Sequence, residues 1–440
     1  MKKLVAMLVC LTLMLPLALV GNAGGAEKTE IVFWYSLGGT IADAIVEMVD
    51  RFNASQDEVF VNAQYQGEYD DAIAKLQAAG MGQLPCDIVQ SYEIGSRFII
   101  DSGWMVPMQN YIDRDGWDTS VIEPNLLAYY TVDGTIHAMP YNCSTPLLYY
   151  NKTAFDEAGI TTVPTTMDEI FEIAPMLTKY NDDGSVARYG YLISNYGWFV
   201  EQWTGKMGRH YVNNGNGRES YATEVVFGDN GAALDILNMF ARMAQDENTT
   251  YIERGGAAQA RAAFVADTTA IFIASTANLA GVLANVDGAF EVGTAFLPYI
   301  NAEDAGGVST GGGCLWMVDS GDQVKMDATW KFVQFLVSAE EQALWNAATG
   351  YFPINMDAHD TDLFKQNIER FPQFQTALDQ LHASGPEYVG AMLSVFPEVR
   401  QYVEDAIESV VLGNLTPEQA VEQLVNRAND AIEMYNLTNY

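Results

Sequence analysis

Downstream of residue 29, hydrophobic and polar positions follow the pattern of successive strands and helices. Short apolar runs at 30–35, 59–65 and 87–91 predict three strands. Between them, apolar residues recur every three or four positions in 41–52 and 69–79, which predicts two helices. This succession predicts an α/β architecture, in which a mostly parallel sheet is covered by helices on both faces.

Residues 140–151 have the features of a crossing between two structural units. Pro140 and Pro146 lack a backbone donor and favour extended geometry in the preceding residue, so a short polar corner is expected here and not a helix. Residues 147–150 predict a strand. An ordinary proline-bounded loop is the alternative interpretation. Hydroxyl and amide side chains between the prolines can face a ligand cleft: Asn142, Ser144 and Thr145.

The rest of the chain predicts further strands and helices and ends in a mainly helical third. A helix over 165–180 begins at Thr165, whose hydroxyl is a typical cap. The last helix begins with the capping box Thr416-Pro-Glu-Gln419. Other helices are predicted over 231–245, 257–265, 328–337 and 340–347 and from residue 396, and strands over 269–274 and 315–318.

The charge balance limits the class of partner. The sequence has 22 basic and 57 acidic residues and a net charge of -35. Binding to nucleic acid requires clustered Lys and Arg that neutralise phosphates, so a nucleic-acid partner is excluded. An anionic ligand would be repelled at long range and needs a cation placed in its own site. Arg400 is one of the few candidates for that cation.

The N-terminus predicts a cleaved signal peptide over residues 1–26. Lys2 and Lys3 are followed by an apolar stretch at 4–20 and by small residues that suit cleavage. Cys10 lies inside the apolar stretch, which is the wrong setting for a lipid-modified terminus. We therefore expect export to the periplasm without a membrane anchor, since no later stretch approaches the length of a membrane span.

Three cysteines follow the predicted signal peptide: Cys86, Cys143 and Cys314. Their spacing matches no zinc-binding pattern, and an odd number permits at most one internal disulfide. We expect buried free thiols. The sequence predicts no metal site and no cofactor.

Side chains that follow predicted strands are candidates for a ligand site, because strand ends face the ligand crevice in such sheets. By this rule residues 67–69 and 92–95 point towards the site. Ser275 follows the strand at 269–274, where the N–H groups of a helix start can bind an anion. A plain N-cap explains Ser275 equally well. Glycines in 309–316 allow close backbone approach to a ligand.

Seven short motifs, taken together and in order, carry a resemblance to one protein family over roughly residues 30–437. The motifs are Phe33-Trp-Tyr, Gln66-Gly-Glu-Tyr, Ser91-Tyr-Glu-Ile-Gly, Asn142-Cys-Ser-Thr-Pro, Gly311-Gly-Gly-Cys-Leu-Trp, Thr349-Gly-Tyr-Phe-Pro and Pro397-Glu-Val-Arg. With them, the chain resembles the periplasmic sn-glycerol-3-phosphate-binding proteins of ABC importers, a branch of the family 1 extracellular solute-binding proteins.

The resemblance implies a type II periplasmic-binding-protein fold, in which two hinge-linked α/β lobes close over a ligand cleft. We predict that lobe 1 contains residues 27–140 and about 277–337. Lobe 2 is predicted to contain residues 141–276 and about 338–440.

Seven positions match the ligand contacts of that family and keep its residue types. Arg400 would pair with the phosphate through two hydrogen bonds. Glu93 would repel phosphate, so we expect it at the opposite end, where it accepts from the glycerol hydroxyls. The seven predicted ligand-binding residues are Tyr69, Glu93, Ser144, Ser275, Gly312, Tyr351 and Arg400.

One departure from the family concerns the two tryptophans that cover the glycerol moiety. Trp198 matches one of them, and Asn195 falls where the other is expected. Loss of an apolar wall would open the pocket to a headgroup beyond the phosphate, so we expect glycerophosphodiesters to bind at least as well as the monoester. The alternative is a local misalignment in which another aromatic residue, such as Tyr196, fills this space.

These observations leave three candidate functions. We predict the first, a solute-binding protein that delivers glycerol phosphates or glycerophosphodiesters to ABC permease subunits and acts as a monomer. The second is an oligosaccharide-binding protein of the same fold, which would leave Arg400 without a purpose. An enzyme is the remote third. Residues 307–311 match the G-x-S-x-G pattern of hydrolases, but a polar segment precedes them and a strand follows, so no catalytic residue is assigned.

Overall fold

The structure of the protein, a computed structural model, describes residues 28–80, 84–385 and 388–439. The predicted signal peptide at 1–26 lies outside the described residues. No described helix is long and apolar enough to span a membrane. The strands within the described residues are β1 (Thr29–Tyr35), β2 (Val59–Tyr65), β3 (Ile88–Tyr92), β4 (Met105–Val106), β5 (Thr131–Val132), β6 (Thr135–Ile136), β7 (Met139–Ser144), β8 (Pro146–Asn151), β9 (Lys179–Tyr180), β10 (Val186–Ser194), β11 (Thr249–Ile252), β12 (Thr269–Ser275), β13 (Val292–Phe296) and β14 (Gly311–Val318).

Helices account for most of the remaining described residues. Short 3₁₀ turns at Glu93–Gly95 and Thr276–Asn278 also form parts of the site described below. The α-helices are α1 (Gly39–Ser55), α2 (Tyr69–Ala79), α3 (Ser96–Ser102), α4 (Gln109–Asp115), α5 (Pro124–Tyr129), α6 (Lys152–Glu157), α7 (Met167–Leu177), α8 (Trp198–Lys206), α9 (Asn213–Gly217), α10 (Ala232–Gln245), α11 (Ala257–Val265), α12 (Leu279–Val286), α13 (Gln323–Leu336), α14 (Ala339–Thr349), α15 (Asp362–Arg370), α16 (Gln373–Ala383), α17 (Phe396–Val411) and α18 (Pro417–Asn439).

Two mixed sheets define two lobes. In the sheet of lobe 1 the order is β2-β1-β3-β14-β4, and β7 also pairs with β14. In the sheet of lobe 2 the order is β11-β10-β12-β8-β13, and β9 also pairs with β10. The α/β two-lobed architecture is confirmed. The sheets are not mostly parallel, however, because β14 in one sheet and β8 in the other run antiparallel to each of their neighbours.

The chain crosses between the lobes at Thr145, which alone separates β7 in lobe 1 from β8 in lobe 2. The predicted crossing is therefore present, but residues 139–144 form a strand where a polar corner was expected. Pro140 is tolerated in this strand because the pairing with β14 shifts register beside it, between Gly313 and Cys314. Such a bulge accommodates a residue that has no N–H to donate.

Strand pairing and helix packing move two of the predicted lobe boundaries. Strand β13 pairs with β8 in lobe 2, although 277–337 was assigned to lobe 1. Helix α14 packs on α1 of lobe 1, although 338–440 was assigned to lobe 2. The structure therefore places β13 with lobe 2, and it places α14, together with α15 that packs on it, with lobe 1. Sheet membership depends on contacts between distant segments, which the local pattern does not encode.

Local sequence features set the ends of several elements. Thr166, not Thr165, caps α7: its Oγ1 accepts from the Glu169 N–H at 3.2 Å. The box at Thr416 is confirmed, since its Oγ1 accepts from Gln419 N at 3.3 Å and its N–H donates to Gln419 Oε1 at 3.0 Å. Cys86, Cys143 and Cys314 are buried free thiols, as predicted.

Candidate ligand cleft

The loops that follow β2 and β3 meet at one edge of the lobe 1 sheet, as the strand-end rule predicts. The Tyr69 ring, at the start of α2, stacks on the Tyr92 ring at the end of β3, with centroids 5.1 Å apart and planes 19° apart. Glu93 follows directly in the 3₁₀ turn and is 4% exposed. This edge faces lobe 2, because the same turn packs against α17.

Asn142 in β7 organises the hydroxyl groups beside this edge. Its Nδ2 donates to the Tyr69 hydroxyl at 2.7 Å, and its Oδ1 accepts from Gln90 Nε2 at 2.8 Å. Burial raises the pKa of Tyr351, while the Asn142 side chain makes a hydrogen bond that lowers it. Tyr69 and Tyr351 therefore both lie beside the Asn142 amide, although Tyr351 comes more than 280 residues later in the chain.

The glycines that open β14 permit close packing on this cluster. Gly312 has a φ of +92°, and a Cβ there would overlap the Asn142 carbonyl oxygen in β7. A Cβ on Gly313 would lie 2.8 Å from the Tyr69 hydroxyl oxygen. The close approach predicted for this run is thus an approach of backbone to backbone and to Tyr69. Contact between Gly312 and a ligand stays a prediction.

The two predicted serines lie at the crossing between the lobes. Ser144 ends β7, is 3% exposed and pairs with Gly311 of β14. Ser275 ends β12 opposite Pro146, and its Oγ accepts from the Ala277 N–H at 3.1 Å. This hydrogen bond favours the plain N-cap interpretation of Ser275. An anion-binding role would require the hydroxyl to leave this partner.

Arg400 in α17 is buried, at 6% exposure, and contacts both lobes. Its Nε and Nη2 donate to the two carboxylate oxygens of Glu201 in lobe 2, each at 2.7 Å. Nη2 also donates to Glu93 Oε1 of lobe 1 at 2.7 Å. Burial alone would lower the pKa of Arg400, but these two carboxylates hold it well above its ordinary value.

The position of Glu93 corrects the sequence prediction, which placed it at the opposite end of the site from Arg400. The two side chains form an ion pair across the cleft. A buried guanidinium needs anionic partners close by, and the short turn after β3 brings Glu93 to α17. Any ligand phosphate on Arg400 would therefore have this carboxylate as a neighbour.

Glu201 in α8 belongs to the site but is missed by sequence reasoning, because the aromatic segment around it suggests core. The signal that identifies it is a lone carboxylate within Trp198-Phe-Val-Glu-Gln-Trp203, since a buried glutamate requires a partner. Burial raises the pKa of Glu201 to about 7, against the opposing effect of Arg400.

Trp198, the first residue of α8, covers the crossing from the side of lobe 2. Its ring packs on Gly311, where a Cβ would lie 2.6 Å from Trp198 Nε1. The indole is 2% exposed, and its buried N–H has no hydrogen-bond partner among the described residues. Trp198 therefore lies at the boundary of the two lobes, and its contact with a ligand stays a prediction.

The side chains of Asn195 and Tyr196 point to different sides of the backbone. The Asn195 Nδ2 donates to the Glu404 carbonyl at 2.9 Å, and the residue is 2% exposed within lobe 2. The Tyr196 ring centroid lies 5.7 Å from the Arg400 guanidinium carbon and 5.7 Å from the Trp198 ring. The structure therefore favours the alternative in which Tyr196 fills the space beside Trp198, and it does not support Asn195 as an opening in the pocket wall.

A cavity of about 200 Å³ lies beside the carboxylates of Glu93 and Glu201. It extends between the lobes from Tyr129 of lobe 1 to Tyr211 of lobe 2. Of the predicted site residues, only Glu93 lines this cavity. A band of contacts leads from Arg400 through Tyr92 and Tyr69 to Asn142.

Two α/β lobes that present polar groups to a shared cleft define a solute-binding protein of the clamp type. The chain belongs to the bacterial extracellular solute-binding protein family, whose model matches residues 47–372. The family membership predicted from the motifs is confirmed.

Two relatives match nearly the full chain. The sn-glycerol-3-phosphate-binding periplasmic protein UgpB of Yersinia enterocolitica serotype O:8 is 30% identical over 435 residues, covering 96% of this chain and 97% of the relative. UgpB of Escherichia coli K12 is 29% identical, and the match covers 96% of this chain and 96% of that relative. These relatives are solute-binding proteins.

Solved structures share the fold. UgpB from Mycobacterium tuberculosis in complex with glycerophosphocholine has a TM-score of 0.76 and 23% identity, covering 93% of this chain and 100% of that one. The GacH receptor of Streptomyces glaucescens, solved unliganded and with acarbose, has a TM-score of 0.76 and 17% identity, covering 92% and 99%.

Proposed function

We propose that this protein captures a glycerol phosphate or a glycerophosphodiester in the cleft and delivers it to the membrane subunits of an ABC importer. The observation that carries the proposal is Arg400, a buried cation at the boundary of the two lobes in a protein of net charge -35. Its Nη1 carries no hydrogen bond among the described residues, so two guanidinium N–H groups can meet a phosphate.

The remaining predicted residues supply neutral contacts in this proposal. Tyr69, Tyr351 and Ser144 offer hydroxyls along the band that leads away from Arg400, and Trp198 with Tyr196 forms the apolar wall. Glu93 accepts from a ligand hydroxyl while it stays within reach of Arg400. In this proposal the protein acts as a monomer in the periplasm after removal of residues 1–26, and the periplasmic relatives support that location.

A neutral oligosaccharide is the second candidate ligand, because one observation favours it. The carboxylates of Glu93 and Glu201 already compensate the charge of Arg400, and tyrosine rings surround it at 5.7 to 5.9 Å. A cleft of this kind can stack and hydrogen-bond a sugar without any anion.

Calorimetric titration of the mature protein separates the two candidates. The ligands are sn-glycerol 3-phosphate, glycerophosphocholine, glycerol and maltotriose, each in the same buffer. We expect binding of the two phosphates and none of glycerol or maltotriose. Maltotriose binding without phosphate binding would establish the second candidate instead. Analysis of the phosphodiester after prolonged incubation tests for turnover, and released products would identify an enzyme.

A further inference from the structure

The charges at Arg400 do not balance once a phosphate is added. Arg400 contributes one positive charge, whereas Glu93 and Glu201 contribute two negative charges at 2.7 Å from it. A phosphodiester adds one further negative charge and a fully ionised monoester adds two. Like charges confined in a buried site cannot all stay ionised, so one group takes up a proton.

Glu201 is the group best placed to take that proton. Its two carboxylate oxygens accept hydrogen bonds from Arg400, one from Nε and one from Nη2, and its side chain is 10% exposed. Glu404, the next carboxylate, is held by the Arg254 guanidinium at 3.0 Å and by the Gly197 N–H at 3.0 Å. Burial already raises the pKa of Glu201 to about 7.

Several other titratable groups face Glu201, and their roles can be separated. Arg400 and Glu404 approach from α17, and Glu93 approaches from lobe 1. Burial raises the pKa of the nearby tyrosines, which keeps them neutral. Arg209, at the same cavity, pairs with Asp235 at 2.9 Å. The remaining polar side chains at this cavity are those of His210, Tyr129, Tyr211, Tyr388, Thr204, Asn216, Ser309 and Thr310.

On the basis of the function proposed above, we propose that Glu201 is a specificity residue: it shares Arg400 with a ligand phosphate only after taking up a proton. The cleft therefore accepts a phosphodiester monoanion at a smaller cost than a monoester dianion. This selectivity comes from charge and not from the space at Asn195. Affinity should rise as the pH falls from 8 to 6 and level off once Glu201 is protonated.

The test measures how many protons the protein takes up for each ligand molecule that it binds. Glycerophosphocholine and sn-glycerol 3-phosphate are titrated at pH 8 in two buffers of different ionisation enthalpy, and the diester is the decisive ligand because its phosphate does not titrate near this pH. We expect the parent protein to take up close to one proton per diester bound. Glu201→Gln should take up none, and at pH 8 it should bind the diester about tenfold more tightly than the parent, the effect of one pH unit above a pKa near 7.

Matched variants control for charge and for other titrating groups. Glu157→Gln removes one exposed carboxylate, which pairs with Lys179 and does not line the cavity. His210→Gln removes the histidine at the cavity. Both variants should keep the proton uptake of the parent. Parent protein that binds the diester without proton uptake would overturn the inference even if Glu201→Gln fails to fold. Weaker binding by a folded Glu201→Gln would also overturn it, since Glu201 would then only orient Arg400. Failure of the parent to bind either phosphate at any pH refutes the proposed function itself.

Discussion

The indole of Trp198 in lobe 2 lies directly on the backbone of Gly311 in lobe 1. A single methyl group on Gly311 would overlap the ring, at 2.6 Å from Nε1. The contact brings α8 of lobe 2 against β14 of lobe 1, beside the crossing strand. The space over Gly311 is therefore one limit on how closely the two lobes approach each other here.

Gly311→Ala should prevent full closure, because the added methyl group meets the Trp198 ring before the lobes reach this arrangement. We expect a loss of ligand affinity of tenfold or more, on the order of 1.4 kcal/mol, with little change in the melting temperature. Gly281→Ala is the matched control, since a Cβ at that helical position makes only an ordinary contact at 3.6 Å. Parental affinity in Gly311→Ala would show that the contact does not limit closure.

Ligand should favour a compact arrangement of the lobes, because Arg400 and the groups of lobe 1 bind it together. Small-angle scattering should record a smaller radius of gyration at saturation. Glu93→Gln removes the ion pair that crosses the cleft, so without ligand this variant should be more extended than the parent. An unchanged radius in both experiments would count against a moving clamp.

Arg400→Ala should lose both affinity and stability. Removal of one partner from a buried charge pair costs on the order of 2 to 5 kcal/mol in binding, well over tenfold. It also leaves Glu93 and Glu201 buried without their cation, which lowers the free energy of unfolding by a further 3 to 5 kcal/mol or so. Lysine should restore stability in part but not affinity, since it cannot form the planar two-bond fork.

The control for Arg400 is Arg427→Ala, because Arg427 pairs with Asp405 on the surface and its side chain is 48% exposed. An exposed pair contributes about 0 to 1 kcal/mol. Calorimetry and urea unfolding on the same samples separate the two effects. If Arg400→Ala binds glycerol phosphates as tightly as the parent does, the assignment of the phosphate site is wrong.

Asn195→Trp should destabilise the protein without restoring a monoester preference. The side chain lies inside lobe 2 against Glu404, so a bulky ring overpacks the site and removes a hydrogen bond, with a cost of about 1 to 3 kcal/mol. Tyr196→Ala should instead change the ligand affinities, because that ring lies beside Arg400. A shift in the ratio of monoester to diester affinity in a stable Asn195→Trp would restore the original interpretation.

Sequence reasoning placed the residues whose position follows from local rules. Tyr69 and Glu93 follow strands, so their meeting at one edge of the sheet could be predicted. The pairing of Glu201 with Arg400 joins residues 199 positions apart, and nothing local specifies it. Asn195 and Tyr196 are consecutive residues just after β10, where neighbouring side chains point to opposite faces. A misalignment of one position in the comparison with the family would therefore exchange the ligand side for the core side.

Contacts between residues distant in sequence also explain why the predicted lobe boundaries differ from those in the structure. Strand β13 was not predicted, and its partner β8 lies more than 140 residues earlier in the chain. Helix α13 begins at Gln323, five residues before the prediction, because Asp322 Oδ1 accepts from the Val324 N–H at 3.0 Å. That cap is a local signal and was available in the sequence.

Strand β14 affects the order in which the lobes can form while the chain is being synthesised. It pairs with β3, β4 and β7 of lobe 1, yet it is made from residues 311–318, after all strands of the lobe 2 sheet. A growing chain that ends before Gly311 therefore holds β3 and β7 as unpaired edges, which can recruit other strands. The sheet of lobe 2 is complete once Phe296 has been added, so the part of the protein that is synthesised first completes its sheet last.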